Sequence, residues 1–174
     1  MTADRSSVAP DLAERVRSHR WYHTMEIVPG LVTDGWFDLR PHVESYGLPA
    51  RMDGLRALDI GTWDGFWAFE MERRGAASVT AIDIEDPARW DWPPHTDFDE
   101  GKAARLAYLA AFKSAAAPFA LAREALGSCV ERVDCSVYDL DPAVHGTFDV
   151  VFLGSLLLHL RDPVGALELS LIHI

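Results

Sequence analysis

The chain has little cysteine: Cys129 and Cys135 are the only two in 174 residues, and they are not in a CxxC spacing. That excludes a disulfide framework and a cysteine metal site, and it suits a reducing compartment with two buried thiols. Positive charge is scarce as well. There are 16 Lys and Arg against 27 Asp and Glu, a net charge of −11. This excludes a surface that attracts phosphate backbones by general electrostatics, so a nucleic-acid role would need a local basic patch. No segment approaches the roughly 18 apolar residues of a membrane span, and the opening MTADRSSVAPDLAERVRSHR has no apolar signal core. The expectation is a cytoplasmic protein with no membrane partner and no metal. Internal repeats and low-complexity tracts are also absent, which excludes solenoid and linker-type chains.

What is present is ordinary globular material, 49% apolar and 25% charged, enough for one domain with a core. Residues 11–20 have helical spacing behind Pro10. WYHTMEIVPGLVTDGWFDLRP then reads as an irregular, aromatic stretch, and residues 1–54 are expected to form an N-terminal cap with one or two short helices. From Leu55 the texture changes. LRALDI is a continuous apolar strand, GFWAFEMERRGA a helix closed by Gly75, and SVTAIDI a second strand, the unit a parallel sheet requires. The Pro-rich EDPARWDWPPHTDFDE reads as a loop, followed by helices over 102–115 and 118–126. A third strand lies near Val133 and a fourth over 148–153. The alternation predicts an α/β, doubly wound parallel sheet of four strands over residues 55–168.

The last six residues, LSLIHI, interrupt that alternation. They are also what a common sequencing-library adapter encodes when translated in frame, so residues 169–174 are expected to be a non-native tail on a gene that continues.

The chemistry concentrates in LDIGTWDGFWAFE, a strand running through a glycine corner into an apolar helix. Such a corner lets a ligand lie against backbone at the strand ends. A dinucleotide site needs G-x-G-x-x-G to seat a pyrophosphate on the helix N-terminus. Here Gly61 and Gly65 are present, but Trp63 and Phe66 stand at the other glycine positions, so a pyrophosphate site is poorly supported. Asp83 ends the second strand about 20 residues beyond the glycine corner, where an acid accepts hydrogen bonds from ribose hydroxyls. The competing reading is a solvated strand-end aspartate.

LDIGTWDG resembles motif I of class I S-adenosylmethionine-dependent methyltransferases, an acid followed by G-x-G-x-G with Trp63 at the middle glycine. The resemblance implies a Rossmann-like fold and S-adenosyl-L-methionine as cofactor. It assigns cofactor contacts to Asp59, Gly61, Thr62 and Gly65 in the first turn, to Asp83 and Ile84 at the second strand end, and to Val137 and Tyr138 at the third exit. FDVVFLGSLLLHLRDP is similar to the family's motif IV, which adds Leu153 and Gly154, with Ser155, beneath the transferable methyl. His159 follows as the one candidate acid or base, and Tyr22 and His23 as candidate substrate contacts. Structural alternatives stand beside each of these. Trp63 could be an anchor between loop and cap, Asp59 a buried brace, His159 an imidazole packed under the cap, Tyr22 and His23 core, and Asp139 a turn residue. Trp90 and Trp92 read best as pins for a long loop.

WYHT, GWFDLRP, LDIGTWDGFWAFE and LLLHLRDP together resemble a narrower branch, the methyltransferases related to the bacterial tRNA wobble-uridine carboxymethyl and methoxy enzymes. The expected activity is methyl transfer from S-adenosylmethionine. Residues 83–100 hold seven acids against Arg89 alone, which reads as a solvated acidic face and favours a small-molecule acceptor. The alternatives are methyl or carboxymethyl transfer to tRNA, and a noncatalytic nucleotide- or tRNA-binding module on the same fold.

Overall fold

The computed structural model describes residues 10–92 and 101–172. Helix α1 (Pro10–Ser18) presents Val16 to the interior. Four very short strands follow: β1 (Trp21–His23), β2 (Glu26–Val28), β3 (Leu31–Val32) and β4 (Gly35–Phe37). The expectation of an irregular stretch is corrected here. β1 and β4 pair in parallel, with Trp21 opposite Gly35, and β2 and β3 pair antiparallel. Strands of two or three residues are too short to display a period-2 pattern, so the local texture conceals them. A 3-10 turn over Arg40–Tyr46 completes this region.

The main sheet is built from β5 (Arg56–Ile60), β6 (Ser78–Asp83), β7 (Glu131–Asp134) and β8 (Val150–Leu153). All pairs are parallel, in the order β7-β6-β5-β8. Helix α2 (Phe66–Arg73) joins β5 to β6, and α3 (Lys102–Lys113) and α4 (Ala117–Leu126) lie between β6 and β7. The short α5 (Pro142–His145) precedes β8, and α6 (Pro163–Ile172) follows it, so residues 169–172 of the expected tail are helical. The helix expected over 102–115 stops at Lys113, because Ser114 turns to φ +50° and caps it.

Both faces of the sheet are covered, as all-parallel strands require. Successive side chains along β5 alternate between two cores. Ala57 belongs to a core that includes Val16, Trp21, Trp67, Phe69 and Phe119, so residues 10–54 share their interior with α2 and α4. Leu58 and Ile60 belong to the other, with Ile82, Val137, Phe148 and Ala166 of α6. Cys135 is buried there too, whereas Cys129, in the turn between α4 and β7, is exposed, which corrects the expectation of two buried thiols. The molecule is an α/β fold with a four-stranded parallel sheet flanked by helices. No helix among the described residues is long and apolar enough to cross a membrane.

Candidate functional site

Parallel pairing brings the carboxyl ends of all four strands to one edge. β5 is followed in sequence by β6 on one side but has β8 on the other, so the strand order reverses beside it. Open α/β sheets bind ligands at such a switch point, in the crevice beyond the strand ends. The turn after β5 forms one wall of that crevice. Gly61 and Thr62 both donate their N–H to Ile82 O, at 2.9 and 3.1 Å, and Gly65 N–H closes the turn on Thr62 O. The backbone passes through three left-handed residues, Gly61 (φ +81°), Trp63 (φ +52°) and Gly65 (φ +91°). The position held by Trp63 is thus one that a glycine would adopt without strain, whereas a side chain there costs on the order of 1 kcal/mol.

Packing explains why the tryptophan is tolerated. Its backbone N–H donates to Asp83 Oδ2 at 2.8 Å. Its ring lies 4.8 Å from Tyr22, 5.6 Å from Phe112 and 5.9 Å from Trp90, centroid to centroid. The anchor reading of Trp63 agrees with these contacts. Trp63→Phe is expected to stay within about 1 kcal/mol of wild type. Trp63→Gly should lose a net 1–2 kcal/mol or so in urea unfolding, because relieved strain offsets only part of the lost burial. A glycine variant more stable than wild type would show that strain dominates.

Beneath the turn lies Asp59, 1% exposed. Burial pushes its carboxyl up to about 7, with the Thr62 hydrogen bond and then His23 pulling partly the other way. Asp59 and Thr62 are side-chain neighbours beneath the turn, and Trp63 Nε1 is buried with no hydrogen-bond partner. Buried polar atoms are normally paired, so the unpartnered indole N–H marks a place where a ligand or water completes the turn.

Two residues that the sequence reading passed over organise this wall. Asp64, fully buried, accepts the N–H groups of Tyr22 and His23 on Oδ2 (2.9 and 2.7 Å) and faces His23 Nδ1 from Oδ1 at 2.6 Å. It therefore ties β1 to the glycine corner. The His23 ring is buried and stacks on Phe66 at 5.0 Å, while Tyr22 lies among Phe37, Trp36 and Trp63, and burial raises its phenol pKa. The second missed residue is Lys113, one of only two lysines in the chain. Its buried ammonium donates to Asp83 Oδ1 at 2.5 Å and to Ile84 O at 2.7 Å. It also lies 5.0 Å from the Trp63 ring and 4.9 Å from that of Trp90. Burial lowers its pKa despite the pull of Asp83.

Asp83 is thus not a solvated strand-end acid. Its carboxylate already receives the N–H groups of Trp63 and Ile84 besides the Lys113 ammonium. The remaining expected residues line the other strand exits. Val137 is buried in a 3-10 turn, and Tyr138 OH both donates to Asp162 O and accepts from Asp162 N–H, which fixes the start of α6. Leu153 ends β8, and Gly154 follows, where a Cβ would fall 2.9 Å from Phe152 and 3.2 Å from Trp67. Ser155 takes φ +56°, and Leu156 lies over Gly61 at 3.3 Å from where a Cβ would sit. His159 is exposed on the 3-10 turn Leu157–His159, which corrects the alternative of an imidazole packed under the cap.

The acidic loop is likewise not a plain solvated face within the described residues. Glu85 pairs with Arg132, Asp91 with Arg161, and Asp86 caps the 3-10 turn Pro87–Arg89. Trp90 Nε1 donates to Ile84 O, as expected of a pin. Asp97, Asp99 and Glu100 lie outside the described residues. A surface groove of about 400 Å³ lined by Ala120, Arg123, Glu124, Gly127 and Ser128 lies along α4 and its end, away from the strand-end residues just described. Compared with known proteins, the chain matches no family model and no curated protein sequence.

Proposed function

We propose that the chain binds S-adenosyl-L-methionine at the β5–β8 crevice and transfers its methyl group to a small-molecule acceptor, in the manner of the Rossmann-like class I methyltransferases. The strand order supports this reading, because β7-β6-β5-β8 matches that family's first four strands. The observation that carries it is the left-handed glycine corner at the switch point, with the unpartnered Trp63 Nε1 in it and an acid at the end of β6 beside it. A cofactor with a ribose diol supplies hydrogen-bonding groups for this corner, and it needs no pyrophosphate cradle.

The residues of the first turn and Asp83 would hold the cofactor, with Val137 and Tyr138 beside the adenine and Leu153 and Gly154 beneath the reacting end. The cofactor supplies an electrophilic methyl group. The chain's own contribution is alignment and exclusion of water, which can account for much of the rate of a displacement reaction. Tyr22, held among Trp36, Phe37 and Trp63, and the exposed His159 are the residues on hand to contact an acceptor. Transfer to tRNA remains the alternative acceptor class, disfavoured by the charge of −11.

Calorimetry with S-adenosylhomocysteine tests the reading. Saturable binding is expected, with no saturable binding of NAD. Asp83→Asn should weaken S-adenosylhomocysteine by about 1–3 kcal/mol, since the ribose hydroxyls lose a charged acceptor. Micromolar binding of NAD, or no binding of S-adenosylhomocysteine, would overturn the cofactor assignment.

A further inference from the structure

We propose that Lys113 is a built-in competitor for Asp83, its ammonium holding the place that a ribose hydroxyl pair would take, so that a nucleoside enters only as the lysine leaves. The inference rests on the nucleoside reading of the crevice and adds a specificity-determining residue to it.

An ionised carboxylate offers about four acceptor sites. Asp83 already receives three donors: Trp63 N–H on Oδ2, and Ile84 N–H and Lys113 Nζ on Oδ1. A diol that hydrogen-bonds through both hydroxyls needs two sites, and the two backbone donors belong to the turn itself. The ammonium is the one donor able to withdraw. Its surroundings form a cation cage: a carboxylate, the Ile84 carbonyl, and two indole rings at 4.9 and 5.0 Å. The wider charges are Arg132 and Asp134 on β7, themselves paired with Glu85 and Arg89.

The backbone around the lysine is poised for such a movement. Lys113 is the last residue of α3, and Ser114 and Ala116 just beyond it take φ +50° and +62° without being glycines. Strained conformations of this kind persist only where surrounding contacts hold them, and they cluster at switch regions. Here the buried ammonium anchors the residue that immediately precedes them to Asp83 and Ile84. Withdrawal of Lys113 releases both the acid and the strained break between α3 and α4.

The test compares adenosine with 2′,3′-dideoxyadenosine by calorimetry on the wild type, Lys113→Met and Lys113→Gln. Lys113→Met should bind adenosine about tenfold more tightly than wild type, Lys113→Gln should fall between, and the dideoxy analogue should gain nothing. A second readout needs no variant. Reductive methylation followed by peptide mass spectrometry should find Lys113 protected in the free protein and reactive once adenosine saturates it. Equal or weaker adenosine binding by cooperatively melting Lys113 variants overturns the competition. So does an equal gain for the dideoxy analogue, or protection of Lys113 that adenosine leaves unchanged. If neither adenosine nor S-adenosylhomocysteine binds any of the proteins, the nucleoside reading falls and the competition with it.

Discussion

Asp59→Asn should stabilise the protein relative to wild type at pH 8, and the advantage should shrink as the pH is lowered to 4. The wild-type carboxyl is raised from 3.8 to about 7 because it is buried, so the folded state favours its protonated form. A raised carboxyl contributes stability that is fully present below the unfolded value and is lost as pH rises through the folded one. The window is therefore about pH 4 to 7, and the loss is on the order of 4 kcal/mol for a shift of about three units. The carboxyls held low by arginines, such as Asp38, Asp149 and the partly buried Glu70, respond in the opposite direction, but they are common to both proteins and cancel in the difference. Urea unfolding of both proteins at half-unit steps measures it. A difference that stays constant from pH 4 to 8 would mean that Asp59 is ionised throughout and holds an unrecognised partner.

The second large effect is expected at Gly65. Its φ of +91° alone strains an alanine, and the added Cβ would lie 2.4 Å from Phe69 Cε2 and 2.8 Å from Phe119 Cδ2. Both rings belong to the core shared with the N-terminal strands, so neither can swing clear without moving α2 against α4. Backbone strain and overpacking together should cost about 3 kcal/mol. Gly61→Ala is the control. It has a similar φ, +81°, but its Cβ would meet the flexible end of Leu156 at 3.3 Å, so strain dominates and the loss should be about half as large. Equal melting temperatures for the two variants would show that the rings at Gly65 yield.

The parts of this molecule that could be read from the sequence are those where one short segment carries its own signal. LRALDI and SVTAIDI are apolar because both faces of the sheet are covered, and that property is written into each strand separately. The corner LDIGTWDG could be read for the same reason, since left-handed turns need glycine, and the exception, Trp63, was visible as an exception. What could not be read depends on a partner far along the chain. β4 is a strand because Gly35 lies against the backbone of His23, at a distance where a Cβ would fall 2.1 Å from a carbonyl carbon. Lys113 sits at the end of a helix whose spacing would ordinarily turn a lysine to solvent, and its burial depends on an acid 30 residues earlier. Asp64 was one more acid in the motif until the backbone of β1 supplied its donors.

The position of β5 also constrains how the protein is made. Its two neighbours arrive at very different times: β6 follows within about twenty residues, whereas β8 begins only at Val150. At typical synthesis rates the interval between Ile60 and Leu153 is roughly 5–20 s. During that time the β8-facing edge of the most buried strand has no native neighbour, and an apolar edge of this kind attracts other chains. Arg56, which in the finished fold is bound to Asp149 immediately before β8, puts a charge at the entrance of that edge. Nascent chains should accordingly depend on chaperone cover until residue 153 has cleared the exit tunnel, and a translational pause before that point should lower the yield of folded protein.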